Sequence, residues 1–408
     1  MTNFELLEVV SLYKNTSPIM KRKLLISIFL GSILFILSWL YINSFYSISA
    51  EDTLFRKIAF IKFQLFNQKE NPEIKNLEFI DVSHDLALIE DPDINNYGNI
   101  AITDRTKIYE FLKLLRENNV HPKFIVLDIQ FYIPFTAEND TYQNTDSLLQ
   151  AEILKFKNIS APLLLDKNGK PIKPLIKTNF PSIASYKTYG TTINKIKIDY
   201  PEFNIHSTSL VLYQNIRKAN FKSNSLFSTD NGILSLNYIW PEYPITAQKI
   251  EELKKDYPQN IGEIILVPDV LKKRFDHKII FVGNFETDIH QSPIGKIPGT
   301  VVLANTFLSL EKGVHHVSLL WILLMITIYS FLFYLSIYSK VPEVNFKFKF
   351  IFSNHLSDFI KGYLSYFGIM FFATLFSYLI FRIFVNVMII SFLFSIIDYF
   401  KSGKYKPS

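Results

Sequence analysis

The chain has 408 residues, no cysteine, a formal net charge of +6, 38 Phe, 22 Tyr and a mean hydropathy of +0.16. Without cysteine there is no disulfide framework, no thiolate zinc and no thiol chemistry. The positive charge does not make a nucleic-acid surface, because the lysines are scattered and do not gather on a stripe with stacking aromatics. The apolar load is heavier than a soluble domain usually carries, and it is concentrated at the two ends of the chain.

Residues 1–23 are mixed and finish in Lys21-Arg22-Lys23. Leu24–Ile42 then runs about 19 residues without a charge, enough at about 1.5 Å per residue to cross the hydrocarbon core. The run is too long for a signal-peptide core, and Trp39, Leu40 and Tyr41 stand where cleavage needs small residues. An uncleaved transmembrane helix with a cytoplasmic N-terminus is predicted over 24–42. Glu51–Asn67 has apolar residues at helical spacing and is predicted to pack on the following domain or on the membrane surface.

Leu77–Val82 is the first predicted strand and reaches Asp81 near its end. Thr103 or Asp104 can cap a helix over Arg105–Asn118, whose Ile108, Phe111, Leu112 and Leu115 share one face. Phe124–Phe131, FIVLDIQF, is apolar without alternation through Leu127 and then meets Asp128, the pattern of a strand buried on both faces. These segments form a β-α-β unit. Thr136–Asn144 is polar and loop-like, Thr145-Asp146 opens another helix through Ile153, and Pro162–Leu165 is a short strand before the turn Asp166–Pro171. Thr178–Tyr200 reads as strands and loops. Helices are predicted over Asn204–Arg217, Pro268–Phe275 and Thr300–Leu310, with strands over Gly232–Tyr238 and Lys278–Val282, the latter closed by Gly283-Asn284. The alternation predicts an α/β domain, a layered and mostly parallel sheet with helices on both faces.

Val317–Tyr338 is apolar again and predicts a second crossing over 317–338. A basic cytoplasmic loop, 339–362, follows, with Lys340, Lys347, Lys349 and Lys361 against Glu343 and Asp358. Residues 363–400 are nearly all apolar except Arg382, about twice the length of one crossing. A hairpin of two helices turning near Arg382–Asn386 puts the polar groups at the interface; one kinked helix would send the basic tail, 401–408, outside. The positive-inside rule then places 43–316 outside the cytoplasm of a bacterial inner membrane.

With the elements placed, Leu77–Leu310 resembles a CHASE2 domain, the extracytoplasmic sensory module of bacterial membrane receptors. The matching residues run along the whole segment: Asp81 in FIDVS, Arg105 at a helix head, Asp128 and Phe131 in VLDIQF, and Asp146 with Leu149. Further on come Asn237 and Tyr238 in GILSLNY, then Gly283, Asp288, Ser292 and Pro293, and last Pro298, Gly299, Ala304 and Asn305. Leu303 stands where the family often has His, and Ser292 replaces the usual Thr, so a role for that His does not carry over. Family members usually continue into a cytoplasmic kinase, cyclase or other output domain, whereas this sequence ends soon after its last apolar segment.

Asp81, Asp128 and Asp288 fall where parallel strands end, the place at which open α/β sheets hold their ligands. Three carboxylates there can bind a cation or the donors of a small ligand; the plainer alternative is that each accepts hydrogen bonds from nearby loop amides. The resemblance adds Asp146 and Asn237 to the candidate ligand-binding residues. Asp288-Ile289-His290 is read as a hydrogen-bonding pair in a loop and not as a zinc site, and His315-His316 as marking the water interface beside the second crossing. Tyr238–Pro241 can line a pocket, an interface or the edge of the core. No phosphate-cradling glycine loop, G-x-S-x-G or zinc-protease helix occurs, so no enzyme, metal or cofactor is expected, and the few charges in the membrane helices argue against transport. The expectation is a sensor or receptor subunit that passes the binding of an extracytoplasmic ligand or envelope protein to a separate membrane or cytoplasmic effector. The alternative is a non-signalling envelope scaffold. The membrane is a partner in either case, a homo-oligomer is compatible with both, and nucleic acid with neither.

Overall fold

The computed structural model describes residues 18–44, 46, 48, 51, 54–55, 58, 62, 72–91, 98–137, 140–184, 192–224, 227–253, 260–292, 294–339 and 354–401. The chain divides into two compact units, Arg56–His316 and a second built from the segments before and after it. The second unit opens with α1 (Pro18–Ile42). In Arg56–His316 follow β1 (Leu77–Asp81), β2 (Leu86–Glu90), β3 (Asn99–Thr103), α2 (Arg105–Glu117), β4 (Phe124–Asp128), α3 (Thr145–Ile153), β5 (Ile159–Ser160), β6 (Pro162–Leu163), β7 (Ser182–Ile183), β8 (Ile196–Lys197), β9 (Asp199–Tyr200) and β10 (Ile205–Ser207). Next are α4 (Thr208–Arg217), β11 (Phe221–Ser223), β12 (Ser228–Asp230), β13 (Ile233–Ser235), β14 (Tyr238–Ile239), α5 (Ala247–Leu253), α6 (Ile261–Ile265), α7 (Leu271–Phe275), β15 (Ile279–Gly283), β16 (Ile289–Ser292), β17 (Gly295–Pro298) and α8 (Gly299–Glu311). The second unit resumes with α9 (Leu319–Tyr338), α10 (Asn354–Phe381) and α11 (Met388–Lys401).

The Arg56–His316 unit is mixed α/β, and its main sheet is parallel throughout, in the order β1-β15-β4-β5. β15 enters between β1 and β4, so the two strands expected to form a β-α-β unit with α2 are not neighbours. Phe124, Ile125, Val126 and Leu127 are all buried. Ile80, Val82, Ile125, Leu127, Ile280 and Val282 form one apolar cluster with the α2 stripe Ile108, Phe111, Leu112 and Leu115. Leu149 and Ile153 of α3, Ile261 and Ile264 of α6, and Leu271 and Phe275 of α7 complete it. Each large apolar side chain so buried stabilises the fold by about 1.5–3 kcal/mol, against the ~1 kcal/mol typical of a cap. Of the two candidate caps for α2, Asp104 acts: its carboxylate accepts from Thr106 N at 2.9 Å.

Several elements differ from the sequence expectation. β2 and β3 pair antiparallel, a hairpin that the expectation did not contain; Leu86 and Leu88 on β2 are 46% and 61% exposed and only Ile89 is buried. The helix expected from Asn204 starts at Thr208, because Ile205–Ser207 pairs with β7 and β9 and the Ser207 hydroxyl caps Leu210 N at 3.2 Å. Most of Glu51–Asn67 and of the basic loop lies outside the described residues, but α10 already begins at Asn354, inside the stretch expected to be loop.

Among the described residues of the second unit, three helices are long and apolar enough to cross a membrane: Pro18–Ile42, Leu319–Tyr338 and Phe359–Phe381. α1 and α9 pack closely at Gly31, where an added Cβ would lie 2.7 Å from the Ser330 backbone N. Ser38 and Tyr329 share a buried hydrogen bond of 3.0 Å between the same helices. Between α10 and α11 the chain leaves the helix at Arg382, and Ile383–Val387 is buried. Its freed carbonyls are met by hydroxyls, Ser377 Oγ donating to Ile383 O at 2.6 Å and Thr374 Oγ1 to Val385 O at 3.1 Å. Buried non-helical backbone requires such partners. α11 has 14 residues, about 21 Å of helix. It starts with Met388 N donating to Glu51 at 2.5 Å and ends with Lys401 Nζ donating to Ser336 O and Ser339 O at 3.0 and 2.6 Å, at the end of α9.

Candidate functional site

Parallel register puts Asp81, Gly283 and Asp128 in one row at the C-terminal edge of β1, β15 and β4. With strands about 4.8 Å apart, the two acids stand roughly 10 Å from each other across a glycine. Asp81 is hydrogen-bonded within the protein. Its Oδ1 accepts from Ser83 N at 2.9 Å, from the Ser83 hydroxyl and from Phe285 N at 3.2 Å, which ties the turn after β1 to the loop after β15. Asn284 Oδ1 accepts from Glu286 N and Thr287 N at 3.0 and 2.8 Å and shapes the same loop. That loop delivers Asp288.

Asp128 and Asp288 meet at the start of α8. Asp128 Oδ2 accepts from the Thr300 hydroxyl at 2.8 Å. Gly283 makes this possible: a Cβ there would overlap Thr300 Oγ1 and lie 3.1 Å from Thr300 Cβ. Gly299 plays the matching part for Asp288, since a Cβ on it would stand 2.9 Å from Asp288 Cγ and 3.1 Å from His290 Nε2. His290 Nε2 and Asp288 Oδ1 are 2.9 Å apart, and Gly299 N donates to Asp288 O at 2.8 Å. Asp128 is pushed up to about 7, first by burial and then by Asp288, against the Thr300 hydrogen bond and the His290 charge. His290 is raised by its hydrogen bond to Asp288, which outweighs burial. The cluster holds a carboxyl poised near neutrality, a second carboxylate, an imidazole and a hydroxyl, a set suited to ammonium, hydroxyl or metal-cation ligands.

The structure brings together Asp128 and Asp288 and leaves the other candidates apart from them. Asp146 accepts from Arg105 Nη1 at 2.5 Å through Oδ1 and from Phe135 N at 2.9 Å through Oδ2. Asn237 Oδ1 accepts from Asp199 N at 2.8 Å, and its carbonyl accepts from Ile198 N at 2.9 Å, fastening β8, β9 and β14. Ser292 holds the β16–β17 turn by donating to Gly295 O at 2.7 Å. Ile239 is fully buried, and Trp240, half-buried, lies under the Lys195 ammonium at 4.5 Å. Gly299 and Thr300 were read only as family matches and a helix start, though the Pro-Gly-Thr order at the head of a helix marks a close backbone approach. A recess of about 220 Å³ lined by Phe131, Ala161, Pro162, Leu163 and Ile176 touches none of these acids and is smaller than the roughly 300–1,000 Å³ typical of small-molecule sites.

Comparison of the chain with protein-family models, curated proteins and solved structures finds no match in any of the three.

The titrations predict a sign for pH dependence. Between 3.8, the ordinary carboxyl value, and about 7, folded Asp128 holds a proton that the unfolded chain has released, so its contribution is full below 3.8 and is lost as pH rises to 7. The raised His290 contributes in the same sense, fully present below its ordinary 6.5 and lost above it. Relative to an Asp128→Asn chain, the native chain should lose melting temperature from pH 5 to pH 8, while His315, lowered by burial in the same unit, titrates in the opposite sense and is common to both. Parallel profiles for the two proteins would show that Asp128 does not titrate near neutrality.

Proposed function

We propose that the chain is a sensor or receptor subunit of the CHASE2 type. Its Arg56–His316 unit would stand outside the cytoplasm, take up a ligand or envelope protein at the Asp128–Asp288–His290 edge, and relay that event to a separate membrane or cytoplasmic partner. One observation carries this reading: Asp128, Gly283, Asp288 and Gly299, family-matching residues far apart in sequence, converge at the C-terminal edge of a parallel sheet. Open α/β sheets hold ligands there. The finer architecture we assign is a sheet with helices on both faces. Leu127 packs with α2, α3, α6 and α7 while Asp128, on the other pleat, meets α8.

Orientation rests on charge. Lys21-Arg22-Lys23 precede α1, and Lys340, Lys347, Lys349 and Lys361 lie between α9 and the apolar part of α10, which puts both segments on the cytoplasmic side. α11 starts beside Glu51, beyond the outer end of α1, and ends on the last carbonyls of α9. On this reading α11, although shorter than an ordinary crossing, would return the basic tail to the cytoplasm.

The scaffold reading has its own support, because Asp81, Asp146 and Asn237 all serve internal hydrogen bonds. Pull-downs from detergent-solubilised membranes separate the two, using the native chain, a version with Lys340, Lys347, Lys349 and Lys361 changed to Gln, and an Asp128→Asn/Asp288→Asn version. A relay predicts an associated protein lost from the lysine version. A scaffold predicts full recovery there and loss from the acid version. A chain recovered alone in all cases sinks both.

A further inference from the structure

A second cluster of ligating side chains lies away from the sheet edge. β12 ends at Asp230, and a tight turn with Asn231 at φ 50° and Gly232 at φ 83° leads into β13. After α8 the chain reverses at Gly313, φ 70°, where Gly313 N and Val314 N close the helix on Leu310 O and Ser309 O. The lack of a side chain at Gly313 admits the His316 ring, whose Nδ1 would lie 3.0 Å from a Cβ at that position. The segment is then pinned to the hairpin by Leu236 N donating to His315 O at 2.8 Å and by a bridge between Ser235 and His316. These backbone constraints place His315 Nε2 and His316 Nε2 at 3.0 and 2.9 Å from Asp230 Oδ2, and Tyr213 on α4 donates its hydroxyl to the same oxygen at 2.8 Å.

The load on this carboxylate is uneven. Oδ2 has three close partners, while Oδ1 is buried and among the described residues has none. Asp230 and His315 are fully buried, and His316 is 32% exposed, leaving one side open to water. We infer that Asp230, His315 and His316 form a binding site for a divalent ion of the late first transition row, with Zn²⁺ as its natural probe. The ligand atoms lie within 4.8 Å of one another. Tetrahedral bonds of about 2.0–2.2 Å set ligand atoms about 3.3–3.6 Å apart, so the Asp–His pairs need to open by only a few tenths of an ångström.

The proton count balances without a co-reactant. In the metal-free chain each imidazole donates from Nε2 to Asp230; on binding, Nε2 turns its lone pair to the ion and the proton moves to Nδ1 of the same ring. Tyr213 keeps its hydrogen bond to the carboxylate and orients it, the outer-shell part such sites ordinarily contain. Two imidazoles and one carboxylate select against Mg²⁺ and Ca²⁺, which take oxygen ligands and hold them in larger number. The fourth position faces the open side beside His316. This site is independent of the CHASE2 reading and of the Asp128 edge.

The test uses the full chain in detergent, purified without a polyhistidine tag and stripped with chelator. Zn²⁺ titrated calorimetrically, with metal content measured after gel filtration, should give one ion per chain, undisplaced by millimolar Mg²⁺ or Ca²⁺. His316→Ala, at the half-exposed ligand, should keep the native circular dichroism and weaken binding by more than the roughly 10–100-fold that loss of an outer-shell partner costs. Asp230→Asn should do the same, and His277→Ala, at an exposed Asp–His pair that has no part in either cluster, should leave binding unchanged. Absence of stoichiometric Zn²⁺ in the native chain overturns the assignment. So does equal affinity in a folded His316→Ala chain, or loss of the ion on His277→Ala alone.

Discussion

Replacing Arg105 by Ala is expected to destabilise the Arg56–His316 unit by about 3 kcal/mol, the lower end of what breaking a buried pair costs. The guanidinium is 2% exposed and serves different partners with its two ends: Nη1 donates to Asp146 at 2.5 Å and Nη2 to Ile133 O at 2.6 Å. It also lies over the Phe131 ring at 5.4 Å. Truncation strands Ile133 O, leaves Asp146 with its Phe135 amide partner, and opens a void beside Phe131. Asp146 is 28% exposed and keeps some hydration, which holds the cost to the lower end. Pulse proteolysis in urea should show the midpoint falling by about 1 M, since m for a unit of this size is at or above the top of the roughly 1–3 kcal/mol/M seen for small proteins. Arg105→Lys should recover little, because one ammonium cannot span both partners in the guanidinium's geometry. A midpoint for Arg105→Ala indistinguishable from the native chain would mean that the pair is not closed in solution.

Gly283→Ala should cost about 1–3 kcal/mol through overpacking. The new methyl would collide with Thr300 Oγ1, and that hydroxyl cannot swing away without leaving Asp128, its acceptor at 2.8 Å. A double-mutant cycle checks the mechanism. Thr300→Ala removes the colliding oxygen, so Gly283→Ala/Thr300→Ala should be less destabilised than the two single changes added together. Strict additivity would place the strain elsewhere. The same cycle should move the titration of Asp128, since both single changes remove the hydrogen bond that lowers it.

Local elements were readable in the sequence where one residue pattern decides them. The α2 stripe, the apolar run of β4 and the long apolar helices all follow from spacing and length alone. Non-local pairing was not readable. Nothing in Leu77–Asp81 or Phe124–Asp128 says that Ile279–Gly283 will come between them, because strand order is fixed by crossovers and not by neighbours in sequence. The β2–β3 hairpin escaped for a different reason: its leucines face water, so the apolar signal ran opposite to burial. At the candidate edge, Asp128 and Asp288 were visible as acids at strand ends, but the roles of Gly283 and Gly299 needed the helix that approaches them. His315 was read as a marker of the water interface and is fully buried on Asp230 instead. The two are 85 residues apart, beyond the reach of any local motif.

The close approach of α1 and α9 has a consequence for the making of the protein. Ser38 and Tyr329 are 291 residues apart, so at about 5–20 residues per second α1 waits on the order of 15–60 s for its partner to be synthesised. During that interval Ser27 and Ser32 are provided for, since each donates back to its own helix at 3.0 and 2.9 Å. Gly31 and Ser38 have their counterparts on α9 alone. An early α1 in lipid would thus wait with Ser27 and Ser32 satisfied and with Ser38 and the glycine notch open until α9 is made.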